Sequence, residues 1–345
     1  MQIKFWSHEL KLTHEWTVAL STAKTFYTTW FVELRNSDGL SGIGEAWPPS
    51  RYKETPKSVE AFLKLVDAKR LSFDDIPGSM AYLENLAPGN YSAKCAINIA
   101  LLDGAGKKAG KPIYDLFGLG FTEKRHVTSF SIGIDSPEMI RKKVREAEVY
   151  PILKLKIGST TDHENIAALR EVAPAKTVRV DANEGWATKE QALRELEWLA
   201  KDPNIEYVEQ PMLAKTPVAD LVWLKERSPL PLFADESYHH AKDIEHCVQC
   251  FHGVNVKLVK SGGITGAYEA LQAARKAGMK TMIGCMIESS VLITAAAHLA
   301  ELANHLDIDG SILISNDPYR GVTTERGQVS FVNAPENIGL RVAPR

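Results

Sequence analysis

Three carboxylates and two lysines recur between residues 156 and 257 at a spacing that invites chemistry. Lys156 closes the apolar run "LKLK", Asp181 closes "VRVD", Glu209 closes "YVE", Asp235 follows "LFA" and Lys257 follows "VNV". The intervals between them, 25, 28, 26 and 22 residues, are about the length of one strand–helix unit. If each run is a parallel strand, all five groups arrive at the same end of one sheet. Carboxylates brought together repel unless a cation sits among them, and all-oxygen ligation selects a hard divalent ion such as Mg²⁺. Asp181, Glu209 and Asp235 are therefore the candidate ligands of one ion per chain. Lys156 and Lys257, on different walls, can each reach one face of a planar intermediate, one taking a proton and the other returning it. Lys154 shares a strand face with Lys156, and a neighbouring cation lowers a lysine's pKa toward the range of a base.

Groups so placed need a frame. From about residue 127, short β-branched runs ("VTSFSIGI", "PILKLKIG", "TVRVDAN", "IEYVEQP", "PLFADES", "GVNVKLV", "KTMIGCMI") alternate with helical patterns such as "SPEMIRKKVREAEVY", "TKEQALRELEWLAKD" and "GAYEALQAARKAG". Regular alternation without hairpin signals predicts a parallel sheet, and this many repeats favour a closed barrel over an open doubly wound sheet. The fold class expected is α/β: a modified (β/α)7β barrel, TIM-like, under an α+β capping domain. Residues 1–125 form the cap, where "TTWFVELRN" and "SGIGEAW" are joined by turn-rich "SDGL" and helical stretches follow. Residues 126–314 form the barrel, and the turn-rich tail 315–345 completes the cap. Barrel enzymes carry their active sites at the C-terminal ends of the strands, where the charged groups fall.

Composition narrows the partners. With 44% hydrophobic and 24% charged residues over 345 positions, the chain can bury a large core. A net charge of −2 with no basic run lacks the footprint of a nucleic-acid binder. The opening "MQIKFWSHELKLTHEW" interrupts its apolar residues with Lys, His and Glu, so it offers no secretory leader, and no apolar stretch is long enough for a membrane. The expectation is a cytoplasmic protein acting on a small molecule, with neither nucleic acid nor membrane as partner and homo-oligomerisation left open. Cys95, Cys247, Cys250 and Cys285 are too few and too unevenly spaced for a disulfide framework. "HHAKDIEHCVQCFH" sets a CxxC among His239, His240, His246 and His252. A second CxxC is missing, however, and Ile244, Cys247 and Val248 fall at core-facing helical spacing, so a packed helix is preferred to a zinc site. "DGAGKKAG" lacks the third glycine of a dinucleotide fingerprint and ends a helix where that motif follows a strand.

In order and wording, "LKLKIG", "VDANEGW", "VEQP", "ADES" and "NVKLVKSGGITGA" resemble the signature of the enolase superfamily in its muconate-lactonising branch. "GIGEAWP" and "ALLDGAGKKAGKPIYDLFG" extend the resemblance over most of the chain. It implies abstraction of a proton α to a carboxylate, with a lysine base and Mg²⁺ stabilising an ene-diolate, as is general in that superfamily. It makes Asp181, Glu209 and Asp235 the Mg²⁺ ligands and Lys156 and Lys257 the acid/base pair, with Lys154 tuning Lys156 and touching the substrate carboxylate. Lys260, three residues beyond Lys257, is not the matching position and receives no role.

The reaction within the branch turns on "NHLDIDGSI". Asp307 and Asp309 sit two apart at the expected end of the eighth strand, both aimed at the mouth. Carboxylates outside the metal set want a cationic partner, which a substrate α-ammonium would supply. This element is similar to the one by which dipeptide epimerases hold a dipeptide's N-terminus. "GCMIESSVLITAAAHLA" is also similar to that subgroup's seventh-strand segment, with Cys285 and Ser289 as departures. The resemblance thus implies a Mg²⁺-dependent epimerase acting at the Cα of the C-terminal residue of a dipeptide such as L-Ala-D/L-Glu. The alternative is a muconate-type cycloisomerase or o-succinylbenzoate synthase of the same superfamily, which needs no ammonium-binding acids. In L-Ala-D/L-Glu epimerases an arginine on a mobile N-terminal loop binds the Glu side chain. The comparable "WTVALSTAKTFYTT" has none, Ser21 falls near that place, and Lys24, or Arg51 and Lys53 in "PPSRYKET", are the expected substitutes.

Overall fold

The computed structural model describes residues 1–345. Its N-terminal part is built on an antiparallel sheet of β1 (Gln2–Trp16), β2 (Lys24–Arg35) and β3 (Ser41–Ala46). Successive side chains of a strand point to opposite faces, so Gly42 and Gly44 share one face of β3 and Glu45 the other. The helix Tyr91–Ala109 lies so close to the glycine face that a Cβ at Gly42 or Gly44 would stand 2.0 or 1.9 Å from the carbonyl oxygens of Ala100 or Ala96. Only glycine allows that approach. Val32, Leu34, Phe62, Leu83, Ile97 and Leu101 fill the core between sheet and helices. The long strand β1 was not among the expected elements. Its Glu9, Lys11 and Glu15 are exposed while Trp6, Leu10, Leu12 and Trp16 turn inward, so charged residues on the wet face broke up the apolar run that would have announced it.

The second part is a barrel. Strands β4 (Phe130–Ile132), β5 (Ile152–Lys156), β6 (Thr177–Asp181), β7 (Ile205–Glu209), β8 (Leu232–Ala234), β9 (Gly253–Val256), β10 (Lys280–Gly284) and β11 (His305–Asp307) lie side by side in chain order. Every pairing is parallel. A parallel bridge between Thr128 and Leu306 joins the last strand to the first. Each strand but β11 leads into helix, giving the (β/α)7β arrangement. Helices such as Pro137–Glu146, Lys189–Leu199 and Ile264–Lys276 press their apolar sides on the strands around Leu153, Leu155, Val178 and Val180. In the helix Ile244–Cys250, Cys247 and Cys250 turn inward and Val248 stays exposed, since 3.6-residue periodicity puts positions 247 and 250, not 248, on one stripe.

The tail returns along the N-terminal part. Ser315 N donates to Lys11 O at 2.8 Å, and Leu340 N donates to Asp103 Oδ1 at 2.8 Å. The helix Ser290–Ala297, which follows β10, is buried along its whole length. Two carboxylates from outside the barrel satisfy its first N–H groups: Glu45 accepts from Ser289 N and Leu292 N at 3.1 and 3.2 Å, and Asp317 accepts from Ser290 N at 3.0 Å. Acids at this end also oppose the helix dipole favourably.

At the other end of this helix, His298 Nδ1 accepts from Tyr114 N at 3.2 Å and Nε2 donates to Leu340 O at 3.0 Å. Burial drives this imidazole's pKa down to about 3; the Leu340 carbonyl resists the shift and the Arg341 charge adds to it. Folded and unfolded chains are both neutral here above about pH 6.5. As pH falls from there toward about 3, the unfolded chain takes up a proton that the folded one refuses, and stability drops by up to about 1.4 kcal/mol per pH unit. His298→Gln should therefore cost stability at pH 7 yet flatten the acid limb of a melting-temperature profile between pH 6.5 and 4. Parallel profiles for the two proteins would refute this account.

Candidate active site

Main-chain register does the first part of the assembly. Lys156 pairs across the ladder with Asp181, and Asp181 with Glu209, so three functional side chains stand on one level of the barrel. Asp235 follows directly after β8. After these ligands the chain turns sharply: Asn183, Glu184 and Gln210 have φ of 43, 66 and 36°, the left-handed region that ordinary residues occupy at a cost. Gln210 repays this with its side chain, whose Oε1 accepts from Asp235 N at 2.9 Å and whose Nε2 donates to Met212 O at 2.9 Å. The end of β7 is thereby fastened to the end of β8.

Asp181, Glu209 and Asp235 are almost fully buried, and their carboxylate oxygens lie within 4.8 Å of one another. Asn183 N donates to Asp181 Oδ1 at 2.9 Å and Asn255 Nδ2 to Glu209 Oε1 at 2.7 Å. Glu209 Oε2 lies 2.7 Å from Lys154 Nζ but receives no aligned hydrogen bond. Burial, reinforced by the charge of Asp181, pushes Glu209 up to about 7. Burial would raise Asp235 too, but Lys257 and Lys260 outweigh it and hold that carboxyl well below the usual range. Three buried carboxylates with a lone pair left to give match the donor set of a hard divalent cation.

The lysines are distributed around this set. Lys156 Nζ donates to Asp181 Oδ2 at 2.6 Å and Lys257 Nζ to Asp235 Oδ2 at 2.8 Å. β9 is the fourth strand from β5 in an eight-stranded barrel, which sets the two on opposite walls. Lys154 is placed differently from the expectation. It lies below the cavity, with Nζ 2.7 Å from Asp307 Oδ2, 2.7 Å from Glu209 Oε2 and 3.2 Å from Asp181 Oδ2. Burial pulls its pKa down, but those three carboxylates prevail and keep the ammonium well above the ordinary lysine range. It is held as a buried counter-ion among these carboxylates and does not itself line the cavity. Lys260, which sequence reasoning set aside, donates to Asp235 Oδ1 at 2.7 Å, to Asp235 O at 2.6 Å and to Asn255 O at 3.1 Å. Its only sequence signal was a charge in an otherwise apolar turn.

A cavity of about 440 Å³ opens above these groups, lined by Lys156, Asp235 and Lys257 from the barrel and by Leu20, Lys24 and Arg51 from the N-terminal part. Asp307 and Asp309 border it too. Asp309 Oδ2 accepts from Ser131 N at 2.6 Å, and burial together with the charge of Asp307 pushes it up to about 7. Of the cations expected to receive a substrate side chain, Lys24 borders the cavity and has no ion-pair partner, whereas Lys53 does not line it. Arg51 is already engaged. It pairs with Glu236 and, at 3.1 Å, with Glu184, and donates to Asn183 O at 3.4 Å and Ala19 O at 3.3 Å.

A family model described as the mandelate racemase / muconate lactonizing enzyme N-terminal domain matches residues 6–118, and one described as enolase C-terminal domain-like matches residues 138–344. The chain belongs to the enolase superfamily. Within that superfamily it is 63% identical to an L-Ala-D/L-amino acid epimerase of Pedosphaera parvula, over 99% of each chain. It is 39% identical to an L-Ala-D/L-Glu epimerase of Bacteroides thetaiotaomicron, over 99% of this chain and 88% of that one. Among solved structures, a dipeptide epimerase of Cytophaga hutchinsonii complexed with Mg and D-Ala-L-Val superposes with a TM-score of 0.92 at 30% identity, covering 99% of this chain and 95% of the other.

Arg51 ties the segment at Ala19 to the turns that follow β6 and β8. Arg51→Ala should consequently speed amide hydrogen exchange over residues 17–22 and at Asn183–Glu184 while the barrel strands keep their protection. Unchanged exchange at both places would show that the clamp holds nothing.

Proposed function

We propose that this protein is a Mg²⁺-dependent dipeptide epimerase that inverts the Cα of the C-terminal residue of its substrate. One observation carries the reading: two lysines on opposite walls of one cavity, each hydrogen-bonded to a different member of a carboxylate triad, with a further acid pair at the cavity's side. The names of the relatives support the same conclusion.

Asp181, Glu209 and Asp235 would hold the ion, which when bound supplies electrostatic stabilisation of the negative charge developing on the substrate carboxylate. Lys156 and Lys257 are the acid/base pair. For one enantiomer the first takes the α-proton as a free amine while the second, as an ammonium, delivers a proton to the other face. For the opposite enantiomer the roles exchange. Asp181 and Asp235 aim the two Nζ atoms, and fixed aim is worth several orders of magnitude in rate. Asp307 and Asp309 mark the side of the cavity that would receive the dipeptide's ammonium. One unpaired lysine, Lys24, beside apolar Val18 and Leu20 supports several second residues, glutamate among them. Four free cysteines support a reducing, cytoplasmic setting.

A panel of L-Ala-containing dipeptides incubated in D₂O with Mg²⁺ and read by mass spectrometry tests this. Epimerised product should carry one deuterium at the C-terminal residue's Cα. Lys156→Ala and Lys257→Ala should each lower epimerisation by at least about 10³-fold, each retaining at most exchange of a single enantiomer. Chelation should stop turnover and restored Mg²⁺ recover it. Turnover of a cyclic or succinylated acid with no deuterium in any dipeptide would sink the assignment.

A further inference from the structure

Asp307 and Asp309, two residues apart, have unlike surroundings. Asp307 Oδ2 accepts from Lys154 Nζ at 2.7 Å and its Oδ1 accepts from Ser129 Oγ at 2.6 Å. The same Lys154 ammonium lies 2.7 Å from Glu209 Oε2 and 3.2 Å from Asp181 Oδ2. Lys154 is 1% exposed, so water does not screen its charge. Asp309 has no lysine beside it. Ser131 N takes its Oδ2, and its Oδ1 meets only the Cys285 thiol, at 3.8 Å. A single buried ammonium thus stands between Asp307 and two of the three carboxylates assigned to the divalent ion.

We infer that Lys154 divides the acid pair: Asp309 anchors the dipeptide's ammonium, whereas Asp307 is a positioning residue that holds Lys154 back from Asp181 and Glu209 and so sets the protein's affinity for its divalent cation. This rests on the reading of the cation and dipeptide sites given above. The physical basis is competition. An ammonium and a divalent ion seek the same carboxylate oxygens, and Asp307 offers the ammonium an anion on its other side. Glu209 Oε2, close to Lys154 but without an aligned hydrogen bond from it, is the lone pair left for the ion. Without the charge of Asp307, Lys154 turns wholly to Glu209 and Asp181 and displaces the cation. Asp309 lacks that link, so its loss weakens the hold on the dipeptide and leaves cation affinity in place.

The test is a calorimetric titration of Mg²⁺ into the metal-stripped, full-length protein without dipeptide. Asp307→Asn should weaken Mg²⁺ binding by on the order of tenfold or more, the range for partners that orient metal ligands, and Asp309→Asn by less than about twofold. The double variant Asp307→Asn/Lys154→Gln loses the competing ammonium together with its anion and should bind Mg²⁺ at least as tightly as the wild type. No merely structural role of Asp307 produces that recovery. Lys154→Gln alone should tighten Mg²⁺ binding, which keeps the test open if circular dichroism shows Asp307→Asn unfolded. At saturating Mg²⁺ the dipeptide KM should rise by about tenfold in Asp309→Asn and by less in Asp307→Asn. Equal losses of Mg²⁺ affinity in the two single variants, or a double variant that fails to recover, would overturn the inference. If the wild type turns over no dipeptide, the epimerase reading falls while the Mg²⁺ titration still decides what Asp307 does.

Discussion

Lys154, Lys156, Lys257 and Lys260 and the carboxylates Asp181, Glu209, Asp235 and Asp307 are all less than a tenth exposed at the barrel mouth. Any one of these charges, alone in such a place, would cost several kcal/mol. They are tolerated because every ammonium stands within 3.2 Å of a carboxylate oxygen. The rest of the site follows from that mutual compensation. A lysine committed to a particular carboxylate oxygen has a fixed direction, and a carboxylate gripped from both sides, as Asp235 is by Lys257 and Lys260, cannot rotate away. The network therefore works as a template for orientation, whatever its net contribution to stability.

Parallel strand pairing decides which charges meet. With Lys156, Asp181 and Glu209 in register across β5, β6 and β7, a slip of one residue in any of these strands would turn a functional side chain out of the mouth. The apolar residues that alternate with them favour the same register from the other face of the sheet, where Leu155, Val178 and Val180 are buried against the helices. Core packing and the chemistry above it are in this sense specified by the same residues.

This is also why so much of the site was legible from the sequence. Polar residues closing apolar runs at strand–helix intervals mark one end of a barrel, and that pattern is local enough to read without coordinates. The setting of Lys154 was not legible because a strand pattern shows that two lysines share a face but not how deep each reaches, nor that β11 brings Asp307 to the lower one. That Arg51 is paired was not legible because its partners, Glu184 and Glu236, lie more than a hundred residues away. Lys260 was passed over because its three acceptors, two of them backbone carbonyls, leave no mark in a motif.

The helix Ser290–Ala297 has its first turn held by Glu45 from the N-terminal sheet and Asp317 from the tail, and the residue after its last turn held between Tyr114 and Leu340. Hinging the N-terminal part off the barrel would strand Glu45 and bare N–H groups in an apolar gap. That route of entry is closed by desolvation alone. Because Leu20, Lys24 and Arg51 of the N-terminal part also line the cavity, the same docking that shelters this helix builds one wall of the site, and the two halves of the chain work only as one piece.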